Sequence, residues 1–374
     1  MHLIYIANTK IPTTKAYGYQ ICKMCEALAN TGLEVELWMP ARKNLILADP
    51  FSFYGLKEIF KIKTINSFDF LSLFKYLGKI SYWLHSLSYF LKLATEKIDK
   101  SIIIYTRYPE IAWLSNLKGI KTVFEAHTWP ESKIFLYKFL LRKVDKIVVL
   151  TQYMKEAFAK HNFSQAKILV SPDAVDLAEF DINISQDEAR KKLGLPQDRQ
   201  IVLYTGHLYK WKGVDTLIEA SRLLDKNILI YIVGGIRQDV EAYQAKYADY
   251  ANVKFAGHKP HQEIPFWLKA ADILVLPNSG QEKISFLYTS PLKMFEYMAS
   301  KRPMVASDLP SLREILNEQN CVFAQPDNKT SLAESIEKAL ADPELSGKIT
   351  ANAYRDVQKY SWQKRAEKIF EFIK

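Results

Sequence analysis

The sequence predicts an α/β protein with two open domains, each built on a parallel sheet with helices between its strands. Three observations lead to this prediction. Short β-rich apolar runs alternate with helical patterns, which is typical of parallel sheets covered on both faces. The alternation stops in a polar stretch and then starts again. The chain has 374 residues, enough for roughly two domains at about 150 residues each.

Composition narrows the class of protein. With 48% hydrophobic and 25% charged residues, the chain has ordinary globular composition. Three cysteines are too few for a disulfide framework, and the opening run MHLIYIANTK lacks the basic flank and length of a signal peptide. No run of 18 uncharged apolar residues predicts a membrane-spanning helix. We therefore expect a protein of the reducing cytoplasm.

The first half of the chain begins with a strand at His2–Ala7, a helix over about Gly18–Thr31 and a strand at Glu34–Met39. The helix carries apolar residues at helical spacing and ends at Gly32. Further strands are predicted at Ile102–Tyr105, Thr122–Phe124, Lys146–Leu150 and Ile168–Val170.

A basic and aromatic segment interrupts this half. Residues 51–150 hold 16 Lys and Arg against 8 Asp and Glu, and residues 51–100 hold 12 aromatic residues. Within them, FDFLSLFKYLGKISYWLHSLSYFLKL predicts one or two helices. One interpretation is a surface for anionic lipid headgroups. The other is an ordinary core-facing helix with solvated lysines. A nucleic-acid surface is less favoured because no binding motif accompanies the lysines.

The polar stretch Asp176–Arg199 is the predicted linker, with a short helix that ends at a Gly-Leu-Pro breaker. The strand and helix pattern then restarts. Strands are predicted at Ile201–Thr205, Ile228–Val233, Val253–Phe255, Ile273–Leu276 and Pro303–Ala306, and helices at Val214–Leu224, Ile264–Ala270 and about Pro291–Ser300. Two such domains in tandem predict a ligand cleft at the carboxyl ends of their strands.

The strongest local signal is YTSPLKMFEYMAS, residues 288–300. Ser290 is a plausible N-cap, and Pro291 suits the first helical turn. The free amides of a helix start attract phosphate, Lys293 adds a positive charge, and Glu296 one turn later could accept hydrogen bonds from sugar hydroxyls. The alternative is a capped surface helix.

A second signal is TGHLYKWKG, residues 205–213, directly after a predicted strand. Gly206 and Gly213 bracket a loop that carries His207, Lys210 and Lys212. Lysines at this edge of a sheet could neutralise a diphosphate leaving group. The alternative is a solvated basic loop.

Together with IYIVGG, VKFAGH, ADILVLPNS and a terminal helix containing YSW, these motifs resemble the retaining glycosyltransferases of family 4. The resemblance implies the GT-B fold, two facing Rossmann-like domains. We expect an acceptor domain at residues 1–180, a nucleotide-sugar domain at 181–354 and a C-terminal helix at 355–374 that returns to the first domain. Motif order matches across about residues 200–330; the first half matches more weakly.

The resemblance also implies roles for single residues. Glu296 matches the second Glu of the Glu-x7-Glu motif and would hold the ribose. Tyr288 stands where that motif has its first Glu, and Tyr288 and Thr289 would lie near the donor sugar. Backbone amides of Ser290, Leu292 and Lys293 would face the diphosphate.

Lys212 matches the phosphate-binding Lys of the family, whereas His207 stands at the position of its partner Arg. A His can bind phosphate by donating a hydrogen bond or when protonated. The segment Gly257, His258 and Lys259 resembles the backbone that reads the nucleobase.

In the first domain, the resemblance places His127 of FEAHTWPE near the reacting carbon of the donor sugar, with Glu125 as a residue that could orient it. A surface or satisfied histidine is the alternative. Gly18, after the loop NTKIPTTKAYGY, would open a helix towards the phosphates.

Other chemistry is less favoured. Cys22 and Cys25 form a C-x-x-C inside a predicted helix without a second pair, which indicates buried packing over zinc or redox chemistry. The dinucleotide fingerprint, a Walker loop and an Asp-x-Asp pair are all missing from the sequence. We therefore expect no metal and no cofactor beyond the nucleotide-sugar.

The predicted activity is transfer of a hexose-type sugar from a UDP- or GDP-sugar to a glycan or lipid-linked hydroxyl, in cell-envelope polysaccharide or glycolipid synthesis. His127, Lys212 and Glu296 are the predicted catalytic residues. Two alternatives stay open: a GT-B nucleotide-sugar epimerase and a non-catalytic nucleotide-sugar-binding subunit. The protein is expected in the cytoplasm, with peripheral contact to the anionic inner face of the membrane as one interpretation and no nucleic-acid partner.

Overall fold

A computed structural model describes residues 1–70 and 78–374 of the chain. It divides them into two compact units, which we call the first and the second unit. The first unit comprises Met1–Ser171 and Trp362–Lys374, and the second comprises Pro172–Ser361. The sequence placed these boundaries at residues 180 and 354. Residues 71–77, which belong to the basic and aromatic segment, lie outside the described residues.

The described part of the first unit contains a seven-stranded parallel sheet in the order β3-β2-β1-β4-β5-β6-β7. Its strands are β1 (His2–Ile6), β2 (Glu34–Pro40), β3 (Lys61–Ile65), β4 (Ile103–Thr106), β5 (Lys121–Ala126), β6 (Lys146–Val149) and β7 (Ile168–Val170). Leu3 on β1 pairs with Ile103 on β4, where the strand order reverses. The sequence predicted these strands except β3.

Helices follow most strands of the first unit. They are α1 (Ala16–Ala29), α2 (Pro50–Tyr54), α3 (Lys79–Thr95), α4 (Pro109–Leu117), α5 (Ile134–Leu141), α6 (Gln152–Lys160) and α16 (Trp362–Ile373). All four residues of β4 are buried, and so are Leu3–Ile6 of β1. Burial of alternate side chains on both faces shows that helices cover this sheet from two sides.

Cys22 and Cys25 lie inside α1 and are fully buried. Burial raises the pKa of both thiols above the ordinary value. Both cysteines are free. The sulfur atoms therefore act as packing groups, as the sequence predicted.

The second unit contains a six-stranded parallel sheet in the order β10-β9-β8-β11-β12-β13. Its strands are β8 (Gln200–Thr205), β9 (Ile228–Val233), β10 (Val253–Gly257), β11 (Ile273–Leu276), β12 (Met304–Ser307) and β13 (Val322–Ala324). Its helices are α7 (Leu177–Phe180), α8 (Gln186–Leu193), α9 (Val214–Ala220), α10 (Arg237–Lys246), α11 (Ile264–Ala270), α12 (Leu292–Ala299), α13 (Pro310–Arg313), α14 (Lys329–Ala341) and α15 (Pro343–Val357).

Strand β8 shows how the second unit is packed. Ile201 and Leu203 belong to one hydrophobic cluster, together with Met294 and Phe295 of α12. Val202 and Tyr204, which point to the opposite face, belong to another cluster. The sheet therefore separates two cores, and α12 packs on one face with its start beside the carboxyl end of β8.

The chain returns to the first unit in α16, which packs along α1. Trp362 lies edge-on to Tyr19 with ring centroids 6.4 Å apart, and Nη1 of Arg365 contacts Sδ of Met24 at 2.9 Å. The predicted return of the C-terminal helix to the first domain is thus present in the structure.

Candidate functional site

In the second unit, the loop after β8 lies against the first turn of α12. The backbone N–H of Thr205 donates to the hydroxyl of Tyr297 at 2.8 Å. Gly206 has φ of 130°, and a Cβ atom there would lie 3.1 Å from Nζ of Lys293. The glycine thus leaves room for the lysine ammonium beside the end of the strand.

Lys293 is a buried cation, with 7% of its surface exposed. Its Nζ lies 3.6 Å from the ring centroid of Tyr204 and has no hydrogen-bond partner among the residues that the structure describes. Burial lowers the pKa of Lys293 well below its ordinary value, and the charge of Lys212 lowers it further. Such an ammonium is costly unless an anion accompanies it.

Lys212 closes the short helical turn Lys210–Lys212 in the same loop. Its Nζ lies 3.7 Å from the ring centroid of Trp211. Burial lowers the pKa of Lys212 to about 7, an effect that the nearby Asp173 partly opposes. Lys212 lies close enough for its charge to lower the pKa of Lys293, and two neighbouring lysines suit a ligand with two negative charges.

Gly213 fixes the end of this loop. It has φ of 67°, and a Cβ atom there would lie 1.8 Å from the carbonyl oxygen of Pro277. The N–H of Ser279 donates to the carbonyl of Trp211 at 3.0 Å. The loop can approach the residues after β11 only because position 213 has no side chain.

The loop that enters α12 is buried, with Tyr288 and Thr289 8% exposed and Ser290 4% exposed. Helix α12 begins at Leu292, and the cap residue is Pro291 in an extended conformation. The prediction that Ser290 is the N-cap is therefore wrong. Its hydroxyl oxygen instead accepts a hydrogen bond from the N–H of Asp173 at 3.0 Å, which anchors the start of the second unit beside α12.

Glu296 lies one turn into α12, three residues after Lys293, and is 9% exposed. Burial raises the pKa of its carboxyl group to about 7; His261 lowers that pKa, Glu179 raises it and Lys293 lowers it. A carboxyl group that is costly to ionise gains from a partner that donates hydrogen bonds, such as a pair of ribose hydroxyls.

The predicted nucleobase segment begins at Gly257, the last residue of β10. Gly257 has φ of 69°, and its carbonyl accepts from the N–H of Gly234 at 2.8 Å. Burial lowers the pKa of His258, and Nζ of Lys259 lies 5.7 Å from the ring centroid of Trp267. The segment is therefore tied to the residues after β9, at the same edge of the sheet as the loop after β8.

His207 belongs to a row of aromatic rings in the loop after β8. Its ring stacks on Tyr209 with centroids 5.1 Å apart, and Tyr209 stacks on Trp211 at 6.4 Å. The row ends at the ammonium of Lys212. His207 and Lys212 thus stand at the two ends of one row of stacked rings.

In the first unit, the site residue is His127, directly after β5. Its Nε2 lies 2.8 Å from Oε1 of Glu125, whose side chain is fully buried. Burial alone would raise the pKa of Glu125, but Arg107, Arg365 and His127 together hold it well below its ordinary value. The ionised carboxylate favours the tautomer with the proton on Nε2, which leaves the lone pair of the ring on Nδ1.

Two arginines hold the Glu125 carboxylate, and the sequence did not identify either. Nη2 of Arg365 donates to Oε1 of Glu125 at 2.7 Å, and Nη2 of Arg107 lies 3.5 Å from the same oxygen. Arg107 also donates to Oε1 of Gln20 at 2.7 Å. Residues from α16 and from the ends of β4 and β5 therefore meet at one carboxylate, and Gln20 of α1 holds Arg107 beside it.

Gly18 lies in the first turn of α1, which begins two residues earlier than predicted. A Cβ atom there would lie 2.3 Å from the hydroxyl oxygen of Tyr54. That hydroxyl accepts from the N–H of Thr13 at 2.7 Å and donates to its carbonyl at 2.8 Å. Packing against Tyr54 is thus one reason for glycine at this position.

A possible metal-ligand group lies elsewhere in the described residues. His2, Glu34 and Glu36 place one ligand atom each within 4.8 Å of one another. These residues stand at the amino ends of β1 and β2, whereas His127 follows a carboxyl end. Oε1 of Glu34 also pairs with Nζ of Lys61 at 3.2 Å.

Comparison with known families gives two matches that cover most of the chain. The family described as glycosyltransferase family 4 matches residues 18–179, and the family described as glycosyl transferases group 1 matches residues 185–356. Each match falls almost wholly within one of the two units.

Characterised and uncharacterised relatives agree with these matches. An uncharacterized glycosyltransferase of Methanocaldococcus jannaschii is 27% identical over 239 residues, 61% of this chain and 60% of that protein. The lipopolysaccharide 1,2-N-acetylglucosaminetransferase of Salmonella typhimurium is 28% identical over 245 residues, 61% of this chain and 62% of that enzyme. The chain thus matches about 60% of the length of these relatives.

Among solved structures, Anabaena HepE in complex with UDP-glucose is similar with a TM-score of 0.74 at 16% identity, over 99% of this chain and 98% of that chain. This likeness shows that the fold is GT-B. In the described residues, we find no helix of the length and apolar character needed to cross a bilayer.

Proposed function

The chain belongs to glycosyltransferase family 4, and from that premise we propose that it moves a hexose-type sugar from a UDP- or GDP-sugar to a hydroxyl group of a glycan or lipid-linked acceptor, with retention of configuration. We assign the nucleotide-sugar to the second unit and the acceptor to the first. The structural neighbour that binds UDP-glucose supports the choice of donor. The lipopolysaccharide enzyme supports a role in cell-envelope polysaccharide or glycolipid synthesis at the inner face of the membrane.

The observation that carries the proposal is the pairing of Lys212 and Lys293 at the carboxyl end of β8, one turn before Glu296. A diphosphate would supply a negative charge beside the buried Lys293 and the partly buried Lys212. Backbone amides of Ser290, Leu292 and Lys293 add hydrogen-bond donors, and Gly18 and His207 are proposed as further donors to the phosphates. Glu296 would then accept from the ribose, and the backbone of Gly257, His258 and Lys259 would contact the base.

In the proposed reaction, the bond between the anomeric carbon and the diphosphate oxygen breaks while a bond to the acceptor oxygen forms on the same face of the sugar. The acceptor proton passes to a diphosphate oxygen. Lys212 and Lys293 stabilise the charge that grows on the leaving group, because they are in place before the bond breaks. His127, Tyr288 and Thr289 are proposed to contact the donor sugar, with His127 held by Glu125.

The absence of an Asp-x-Asp pair from the sequence leads us to propose that transfer needs no metal ion. Activity should then persist when a chelator such as EDTA is added to purified protein. A loss of transfer that Mg²⁺ or Mn²⁺ restores would contradict this part of the proposal.

The donor is identified by a thermal-shift screen of nucleotide-sugars, since a ligand that binds the folded protein raises its melting temperature by mass action. Transfer to acceptor, hydrolysis and epimerisation of the best donor are then measured separately. Epimerised donor in the absence of any acceptor would favour the epimerase alternative.

The ribose assignment is tested with UDP and GDP and their 2′,3′-dideoxy forms. Wild-type protein should bind the dideoxy nucleotide about 10- to 100-fold more weakly, because a charge-assisted hydrogen bond to Glu296 is lost. Glu296→Ala should bind both forms equally weakly, whereas the exposed Glu334→Gln should behave as wild type. If Glu296→Ala preferred the nucleotide over its dideoxy form by the same factor as wild type, the assignment of Glu296 to the ribose would be contradicted.

One specific observation keeps the non-catalytic alternative in view. Tyr288, buried at the end of a helical turn at Ile284–Tyr288, occupies the position of the first Glu of the motif. Donor that binds with a large thermal shift, yet is neither transferred nor hydrolysed with any acceptor tested, would favour a binding subunit.

A further inference from the structure

Helix α3 turns a stripe of apolar side chains towards solvent. The stripe follows helical spacing and comprises Ile80, Trp83, Leu84, Leu87 and Leu91. Trp83 is 74% exposed and Leu91 is 57% exposed. A monomeric protein in water rarely exposes so many neighbouring apolar groups without a binding role for them.

The opposite side of α3 already packs on the sheet of the first unit. Tyr89 and Leu93 are buried there in a cluster with Ile4 and Ile104. His85 is buried on the same side, where its Nε2 accepts from Nε of Arg42 at 2.5 Å. The solvent-facing stripe is therefore more apolar than the buried stripe, the reverse of an ordinary surface helix. The core-facing interpretation of this segment does not account for the exposed stripe.

The apolar region continues across two neighbouring helices. Phe90 of α3 stacks on Trp113 of α4 with centroids 6.4 Å apart, and Trp113 lies 6.4 Å from Phe139 of α5. Helix α5 adds Phe135, 85% exposed, and Leu136, 50% exposed. We call the exposed apolar residues of α3 and α5 the apolar surface.

Basic residues outnumber acidic residues beside the apolar surface, where Glu96, 4.0 Å from Lys92, and Glu131 are the acidic neighbours at the helix ends. Neither α3 nor α5 contains an acidic residue. Exposed basic residues stand at the helix ends: Lys92 and Lys97 at the end of α3, Lys133 before α5, and Arg142 and Lys143 after it. Large apolar groups framed by lysines match the acyl boundary and the anionic headgroups of a bilayer leaflet.

We propose that the apolar surface docks on the headgroup face of an anionic lipid bilayer. Trp83, Leu87 and Phe135 enter the boundary between headgroups and acyl chains, and the flanking lysines contact lipid phosphates. A second copy of the chain is the weaker occupant, because a self-complementary contact would bring the same cations against each other. The proposal goes beyond the transfer reaction and needs no sugar substrate for its test.

The test is flotation of the full chain with vesicles of phosphatidylcholine alone or with phosphatidylglycerol, at low and high salt. Binding to the anionic vesicles, weakened by salt, is the expected result. The double variant Trp83→Ser/Leu87→Ser should reduce partitioning by about tenfold or more, because two large apolar side chains no longer leave water. A matched control, Leu223→Ser/Ile236→Ser, removes exposed apolar groups of the second unit and should float as wild type.

Charge is tested separately by Lys133→Glu/Lys143→Glu against the control pair Lys226→Glu/Lys254→Glu. Only the Lys133→Glu/Lys143→Glu variant should bind anionic vesicles more weakly than wild type. Circular dichroism and nucleotide binding, measured on every variant, separate a docking defect from misfolding or from failure of the proposed transferase function. The proposal would be overturned if wild-type protein did not float with anionic vesicles, or if the Trp83→Ser/Leu87→Ser variant floated as well as wild type. It would also be overturned if sedimentation showed a wild-type dimer that is monomeric in this variant and the wild type bound no vesicles.

Discussion

Arg365 of the last helix donates to Glu125 at the end of β5 across 2.7 Å, although the two residues lie 240 positions apart. The side chains are 2% and 0% exposed. The same carboxylate oxygen lies 2.8 Å from Nε2 of His127. The C-terminal helix therefore takes part in positioning the histidine that we propose to contact the donor sugar.

Removal of the Glu125 charge should strongly destabilise the folded protein. Glu125→Gln leaves the buried Arg365 and the partly buried Arg107 without a carboxylate, which should cost about 3–5 kcal/mol of unfolding free energy. The control is Glu241→Gln, which breaks a pair of equal length, 2.7 Å to Arg237, on an exposed helix. That change should cost less than about 0.5 kcal/mol. Urea titrations of both variants provide the comparison, and equal small losses would contradict the structural role of the Glu125 cluster.

The raised pKa of Glu296 predicts a pH-dependent stability cost. Its pKa is about 7 in the folded protein against an ordinary 4.5, so the folded state holds this proton more tightly than the unfolded chain. The cost is absent below about pH 4.5, grows as pH rises and is complete above about pH 7. The free energy of unfolding of Glu296→Gln, relative to wild type, should therefore rise by up to about 3 kcal/mol between pH 4.5 and pH 8. Urea titrations across this range measure it; a constant difference would refute the prediction.

Nucleotide binding should be coupled to proton uptake. Lys212, with a pKa of about 7, is largely neutral at pH 8, and a bound diphosphate favours its charged form. Calorimetry of UDP or GDP binding in Tris and in HEPES at pH 8 gives the number of protons taken up. Lys212→Arg, which stays charged, should lower that number by about one. Lys210→Met, in the same turn but exposed, should leave it unchanged. A Lys212→Arg variant with wild-type uptake would argue against the site.

Close backbone approach at Gly213 predicts a difference between two glycines of equal φ. Gly213 and Gly194 both have φ of 67°, but a Cβ atom would meet the Pro277 carbonyl at 1.8 Å in the first case and nothing within 4 Å in the second. Gly194→Ala should cost about 1–2 kcal/mol from the left-handed conformation alone. Gly213→Ala should cost about 1–3 kcal/mol more through the clash. Thermal melts of the pair test this, and similar melting temperatures would contradict it.

The strands of the two sheets were predictable where they form buried apolar runs. Ile228–Val233 and Ile273–Leu276 were predicted with the residues that the structure shows, because a parallel strand that is buried on both faces is apolar throughout. Strands β3 and β13 were missed. Strand β13 has only three residues. Strand β3 has the sequence KIKTI at the edge of the sheet, so it resembles the basic segment around it.

The candidate site was predictable in part. The order of motifs placed Lys212, Lys293 and Glu296 in one region, and the structure brings Lys212 and Lys293 together. The prediction of Ser290 as the N-cap of α12 was wrong, since its hydroxyl oxygen accepts from the N–H of Asp173, which lies 117 positions away. Arg107 and Arg365 were missed for the same reason, because single charged residues far apart in sequence carry no local pattern that shows their contact.

The return of α16 to the first unit also constrains the order in which the protein can mature. Ribosomes deliver residues 172–361 before Arg365 and its helix exist, so the second unit can finish folding while the first still exposes the side of α1 around Tyr19 and Met24. The first unit can therefore complete its packing only after Trp362 and Arg365 of α16 have been translated.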